Sequence, residues 1–455
     1  MAYAIMSPQL PLPPGPKGNF FFGSARELAI STPAHAIECL RDFGDIVFYR
    51  FLHVPICQLT HPDHIEEVLV RNAANFQKSR DYGALKFILG NGLLTNEGAS
   101  WQRQRQLIQP AFRHENIAAY AEIMVDSTAK HLSRWKDGEK RDLHYEMAEL
   151  TLDIVAKSLF GSKLAHDARG IGEEIAAVME RFQTQAALTF LLPDRFPVPK
   201  TPRLLRSKKR LEEVVLSIIR ERRKSSAKAN DLLQRLLDAR DEAGARMSDE
   251  QLREEVMTLF LAGHETTANA LTWTWYLLAQ NPEAERVLAA ELSSVLAGRA
   301  PTMADLPRLP YTEMVVKESM RLYPPAWGIG RRALQEFELG GYRIPAGTTI
   351  FIMQWVTHRD ARFFPDPERF EPERWRDDPI RKGRIPRFAY FPFGGGPRVC
   401  IGAGFAMMEA TLLLAGIAQR YRFTLAPNAK VTPHFSVTLR PKHGLPMTLH
   451  CRAAS

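Results

Sequence analysis

Cysteine is scarce in this chain, and the four present, Cys39, Cys57, Cys400 and Cys451, form no CxxC pair. That spacing signals neither a zinc framework nor a disulfide scaffold, so a reducing, cytoplasmic setting is expected. Also missing are a basic leader followed by a sustained apolar core and any apolar run of about twenty residues, so secretion and a transmembrane anchor are not expected. No internal repeat, low-complexity tract or long polar linker divides the sequence. A net charge of +9 invites a nucleic-acid reading. The Lys and Arg residues are dispersed, however, and no nucleic-acid-binding motif accompanies them, so none is expected to bind.

What is present suits one large globular body. The 455 residues are 45% hydrophobic and 24% charged, ordinary for a folded protein. Leu10-Pro-Leu-Pro-Pro-Gly-Pro16 cannot be helical, because proline removes donors and restricts its predecessor. Residues 1–18 are therefore expected as an extended lead-in and 19–455 as a single domain. From about Pro62 to Gln280 apolar residues recur at three- and four-residue spacing, as in Leu232, Leu233, Leu236 and Leu237. Strand signals are short: Ile46 to Phe51, Ile56 to Thr60, Thr348 to Met353 and a stretch near Phe435 to Leu439. The expected class is mainly α with small β-sheets.

One long helix is anticipated from a capping box at Ser248 and Gln251, with no proline until Pro282. It would run about 50 Å at 1.5 Å per residue. Gly263 lies in its middle, where glycine costs about 1 kcal/mol relative to alanine, so a close neighbour or a bend is expected there. Further on, Phe393-Gly-Gly-Gly-Pro-Arg-Val-Cys400-Ile-Gly402 ends a glycine-rich turn at the start of a helical stretch, Ala403 to Arg420. Backbone N–H groups and the helix N-terminus both favour a thiolate there. A buried, inert cysteine is the commoner role for a lone thiol. Two other patterns fail. In Gly402-Ala-Gly404, Met407 stands where a dinucleotide fingerprint needs its third glycine. In His264-Glu265-Thr-Thr-Ala268, alanine replaces the second histidine of a zinc-protease motif.

Phe393 to Gly402 resembles the haem-binding loop of the cytochrome P450 family, and the resemblance extends in order through nearly the whole chain. It implies a triangular helical prism, haem b as cofactor and Cys400 as the ligand to its iron. Glu318-Ser-Met-Arg321 resembles the family's Glu-x-x-Arg pair, on one helix face. Phe370-Glu-Pro-Glu-Arg374-Trp375 resembles the segment whose arginine joins that pair, with Trp375 in place of the more frequent phenylalanine. Trp101-Gln-Arg-Gln-Arg105 is similar to the segment that binds a haem propionate. Arg398 and Arg331, the latter with Arg332 as its immediate competitor, would serve further propionate contacts; arginine's planar fork suits carboxylates. Phe393 and Gly402 complete the expected cofactor-binding set.

Ala262, Gly263, Glu265 and Thr266 resemble the oxygen-activation segment. A Thr266 hydroxyl is expected to bond back to the Ala262 carbonyl, Gly263 to make room, and Thr266 with Glu265 to supply protons. The implied activity is insertion of one atom of O2 into a hydrophobic substrate (fatty acid, terpenoid or steroid), with electrons ultimately from NAD(P)H. Alternatives are a peroxide-dependent or isomerase-type member, or a non-enzymatic haem sensor or carrier. Pocket candidates are Tyr82, Phe87, Phe260, Ala326, Trp327, Ile329 and Phe435. No reductase is fused, so a separate ferredoxin or flavodoxin with its reductase is expected to dock on Arg381, Lys382, Arg384, Arg387 and Arg398. The protein is expected to be monomeric. Phe190 to Pro199 combines apolar and basic residues, as a pocket entrance or a membrane contact would.

Overall fold

A computed structural model describes residues 10–19, 21–161, 174, 188, 200–224 and 231–452. Phe190 to Pro199 lies outside the described residues.

Helices build most of the body. Those that position the site are α1 (Tyr82–Leu89), α2 (Gly98–Ile108), α3 (Leu143–Phe160), α4 (Pro202–Lys224), α5 (Asp249–Gln280), α6 (Pro310–Leu322) and α7 (Ala403–Ala418). Helix α5 runs 32 residues without interruption. Its cap is the expected box: the Ser248 hydroxyl accepts from the Gln251 N–H at 3.1 Å, and Gln251 Oε1 accepts from the Ser248 N–H at 3.2 Å. Of its 32 positions 21 are buried, including Trp273 and Leu271. A helix buried along so much of its length belongs inside a protein, and here it is the axis on which α3, α6 and α7 pack.

Glycine at 263 has a steric reason. A Cβ there would stand 3.0 Å from Val155 Cγ2 on α3, tighter than side chains ordinarily allow. The two helices are also tied by a polar contact, because the Thr151 hydroxyl donates to the His264 carbonyl at 3.0 Å. Close approach, the first of the two expectations for Gly263, is what the packing uses.

The β elements are β1 (Ile46–Phe51), β2 (Val54–Leu59), β3 (Phe76–Lys78), β4 (Lys140–Asp142), β5 (Ile329–Ala333), β6 (Phe337–Leu339), β7 (Tyr342–Ile344), β8 (Thr349–Ile352), β9 (Tyr421–Leu425), β10 (Pro433–Phe435), β11 (Leu439–Pro441) and β12 (Pro446–Cys451). One sheet has the order β1-β2-β8-β5-β3, with Lys78 directly opposite Arg331. The stretch near Phe435 to Leu439, expected as one strand, is instead a hairpin. Phe435 pairs with Leu439, and Ser436 to Thr438 form its turn. Its bonding atoms thus face each other across three residues, and the alternation that suggested a single strand is split between two. The proline-rich segment from Leu10 to Pro16 is extended and fastened down, Pro14 accepting from the Phe48 N–H at 2.8 Å and Pro11 from the Arg343 N–H at 2.9 Å. No helix among the described residues is long and apolar enough to cross a membrane.

Candidate active site around the cysteine loop

The loop from Phe393 to Cys400 is shaped by its glycines. Gly396 has φ +64°, and a Cβ on it would run into the Leu69 carbonyl. Only glycine combines that left-handed conformation with that approach. The Cys400 N–H closes the loop on the Phe393 carbonyl at 2.9 Å. Gly402 then caps α7.

Cys400 carries exposed surface, as does Val399 beside it. Burial is nevertheless the leading influence on its thiol and raises its pKa, against the lowering effects of the Gly402 N–H and of Arg105. Both observations hold if the sulfur opens onto a space enclosed by protein. The expectation that local N–H groups favour thiolate is met in kind, but desolvation of the anion outweighs them in the protein alone. On α5, Ala262 is likewise exposed although Leu259, Phe260, Leu261 and His264 around it are buried. The Thr266 hydroxyl donates to the Ala262 carbonyl at 2.7 Å, as expected.

Cations gather beside the loop. Arg105 Nη1 donates to the Val399 carbonyl at 2.9 Å. The Arg398 guanidinium stacks over the Trp101 ring at 3.7 Å, donates to the Asn96 carbonyl at 2.8 Å and pairs with Glu97. Arg331 is buried on β5 and donates to the Gly330 carbonyl at 3.0 Å. Of the two adjacent arginines it is Arg331 that joins this cluster. Lys78, opposite it across the sheet, is the member that motif reading missed. Burial, then Arg331 and Arg398, hold its ammonium well below the ordinary lysine range. Burial likewise pulls Arg398 down to about 10. So much desolvated positive charge, countered among the described residues by Glu97 and Asp81, favours an anionic ligand.

A soft sulfur donor beside convergent guanidinium and ammonium groups fits a flat metal macrocycle with carboxylate arms. The residues present therefore suit haem b. Cys400 would hold the iron, and Arg105, Arg331, Arg398 and Lys78 would hold the propionates.

The buried charge network is also in place. Glu318 Oε2 accepts from Arg321 Nε at 2.9 Å and Oε1 from Arg321 Nη2 at 2.8 Å, while Arg374 Nε donates to Oε1 at 3.2 Å. Trp375, the departure from the frequent phenylalanine, adds its indole N–H at 3.0 Å. Its ring lies 4.2 Å from Tyr390, whose neighbour Phe391 donates its N–H to His358 at 3.0 Å. That path leads from Glu318 to the start of the cysteine loop.

Two groups of expected residues are divided by the structure. Ile329 abuts Gly394 of the loop, and Phe87 is only half-buried on α1. Phe260 instead packs in the core against Phe160, and Trp327 donates to the Ser436 carbonyl at 2.8 Å within a cluster containing Phe351 and Phe435. Both residues therefore have packing partners of their own. Among the basic residues, Arg381, Lys382, Arg384 and Arg387 are exposed. Arg398 is not part of that surface, since its stacking on Trp101 turns it inward.

With this geometry in hand, comparison with known proteins is direct. The family profile described as Cytochrome P450 matches residues 13–446. Cyclooctatin synthase of Streptomyces melanosporofaciens is 40% identical, over 91% of this chain and 91% of the relative. Cyclooctat-9-en-7-ol 5-monooxygenase of the same organism is 36% identical over 87% and 86%. Pentalenene oxygenase of Streptomyces avermitilis is 34% identical over 92% and 93%.

Proposed function

The chain belongs to the cytochrome P450 family of haem monooxygenases, and from that premise we propose that it oxygenates a cyclic terpenoid hydrocarbon or alcohol, with Cys400 as the iron's thiolate ligand. The observation that carries the site assignment is the Cys400 thiol with Arg105 acting on it, next to the Arg331, Arg398 and Lys78 cluster beside the same loop. The substrate class rests on the relatives, whose names specify cyclooctat-9-en-7-ol and pentalenene.

When bound, haem supplies the iron at which dioxygen is reduced, and a thiolate ligand favours O–O cleavage by donating electron density. The chain's own residues do the rest. Arg105, Arg331, Arg398 and Lys78 would neutralise and hold the propionates. Trp101 holds Arg398 in place by stacking, so its fork is pre-aimed. Ala262 and Gly263 present a face of α5 without bulk. Thr266 keeps its hydroxyl on the helix backbone, and Glu265 holds the proton that the reaction consumes; burial raises its pKa and so favours that protonated form. Retention of the Glu265 and Thr266 pair favours dioxygen over peroxide or isomerase chemistry, and over a passive carrier.

A panel of cyclic diterpene and sesquiterpene alcohols and hydrocarbons tests the reading. At least one is expected to shift the ferric spectrum by displacing iron-bound water and to yield a mono-oxygenated product with NAD(P)H, a ferredoxin and its reductase. Spectral binding without product from any panel member would favour the carrier reading instead. The protein acts in the cytoplasm as a single-domain monomer in this reading.

Electrons arrive at the exposed Arg381, Lys382, Arg384 and Arg387 surface from an acidic ferredoxin or flavodoxin. The double variant Arg384→Glu and Arg387→Glu is expected to slow reduction roughly tenfold at low salt and to lose most of that difference at high salt, since steering between surface charges is screened. Stopped-flow reduction at several ionic strengths measures it. Equal rates for variant and parent throughout would place docking elsewhere.

A further inference from the structure

Glu265 is the end of a chain of side chains drawn from α5, α3 and the turn between β10 and β11. The Thr438 hydroxyl donates to Glu265 Oε1 at 2.6 Å. The same hydroxyl oxygen accepts from Asn269 Nδ2 at 3.1 Å. Asn269 Oδ1 in turn lies 3.2 Å from His144 Nε2. Asn269 is fully buried and Thr438 nearly so, whereas His144 is half-buried at the start of α3, next to exposed Asp142 and Tyr145.

Each hydrogen bond in the chain has a fixed direction. With its oxygen accepting from the amide of Asn269, Thr438 turns its proton to Glu265. With its nitrogen committed to Thr438, Asn269 can only accept from His144, which therefore carries a proton on Nε2. Every dipole thus points toward one oxygen of Glu265. A neutral amide in the middle does not relay protons, so the chain is not a proton wire. Its effect is on where the Glu265 proton sits. Oε1 is occupied as an acceptor, and Oε2 is left as the oxygen that can carry a proton.

We propose that His144, Asn269 and Thr438 are positioning residues that hold Glu265 Oε1 as an acceptor and so assign its exchangeable proton to Oε2. This inference rests on the reading of Glu265 as the proton source given above. Other charged or titratable groups near the chain are Arg440 on β11, which acts on both Glu265 and His144, Asp142 beside His144, and His264 on α5. Burial raises the Glu265 carboxyl, while the Thr438 bond and Arg440 oppose that rise. Hydrogen bonds to the charged form of a carboxyl favour it, so removing one raises the pKa further.

The proton is read directly by the infrared C=O stretch of protonated glutamate in holoenzyme labelled with 13C-glutamate, the Glu265 band being the one lost in Glu265→Gln. In Thr438→Val the titration midpoint of that band is expected to rise by about one pH unit. Product formed per dioxygen consumed is expected to fall about threefold, with hydrogen peroxide making up the difference. His144→Phe is expected to shift the midpoint in the same direction by less. Thr438→Ser, which keeps the hydroxyl, and His144→Gln, which keeps an N–H donor, should restore both readouts, which a purely packing role would not predict. A midpoint unmoved in both Thr438→Val and His144→Phe overturns the positioning chain. Unchanged coupling in Glu265→Gln overturns instead the assignment of proton supply to Glu265, and the two failures are told apart by which variant is silent.

Discussion

Alanine at position 400 is expected to give a folded protein without the thiolate-type ferrous–CO absorption band and with turnover reduced beyond roughly a thousandfold. Folding should survive because the loop is not held by the sulfur. The Cys400 backbone N–H, unaffected by the substitution, bonds to the Phe393 carbonyl. Gly396 sits against the Leu69 carbonyl whatever side chain occupies 400. The thiol presents exposed surface, so its removal opens little new cavity, and the stability cost should stay within about 1 kcal/mol. What is lost is the anionic donor. Arg105 and the Gly402 N–H are aimed at that position, and neither can replace a ligand to iron. Circular dichroism and thermal melting would show the fold retained, while the reduced-CO spectrum and product assay would show the chemistry gone. A Cys400→Ala protein that kept the thiolate band would mean that another residue ligates the iron.

The parts of this site that could be read from sequence are those whose causes are local. Ser248 and Gln251 cap α5 through atoms three residues apart, and Thr266 reaches a carbonyl one turn back. Spacing alone encodes such contacts. The Glu318 to Arg321 pair was legible for the same reason, and Arg374 only through family resemblance. The positions that escaped depend on which distant segments meet. Lys78 enters the cation cluster because β3 lies against β5, which puts it opposite Arg331. No pattern around Phe76-Gln-Lys78 announces that pairing. Thr438 and Asn269 reach each other only because the β10 to β11 turn folds onto α5. Arg398 shows the converse. It reads both as a propionate partner, by family resemblance, and as part of the basic docking run; the neighbouring α2 brings Trp101 beneath it and turns it away from that run. For Phe260 the sequence could not foresee its partner, because an apolar residue at helical spacing has the same signature whether or not it stacks, as here, on a ring such as Phe160.

Glu318→Ala is expected to have the largest effect on stability, and the reason lies in what it leaves behind. Glu318 and Arg321 have no exposed side-chain surface, and Arg374 has 8%. Bringing such charges out of water is costly, and it is tolerated here because Glu318 accepts from both guanidinium groups, from the Trp375 indole and from the Glu371 N–H at 3.0 Å. Without the carboxylate, Arg321 keeps its bonds to the carbonyls of His358, Pro367 and Arg369, but its positive charge is left uncompensated. Breaking a buried pair in this way costs about 3–5 kcal/mol, a large part of the total stability of a typical protein. Because the path from Glu318 runs through Trp375 and Tyr390 toward Phe393, the cysteine loop should loosen with it, and haem content per protein should fall. Trp375→Phe, which removes a single donor and restores the frequent family residue, should cost only about 1 kcal/mol. Thermal denaturation and the haem-to-protein ratio measure both variants. A structural role further requires that whatever Glu318→Ala protein retains haem turns over at nearly the parent rate per haem, because Glu318 touches neither the sulfur nor α5 in the network described. A variant with parental stability and haem content but depressed turnover per haem would instead move Glu318 from the scaffold into the chemistry.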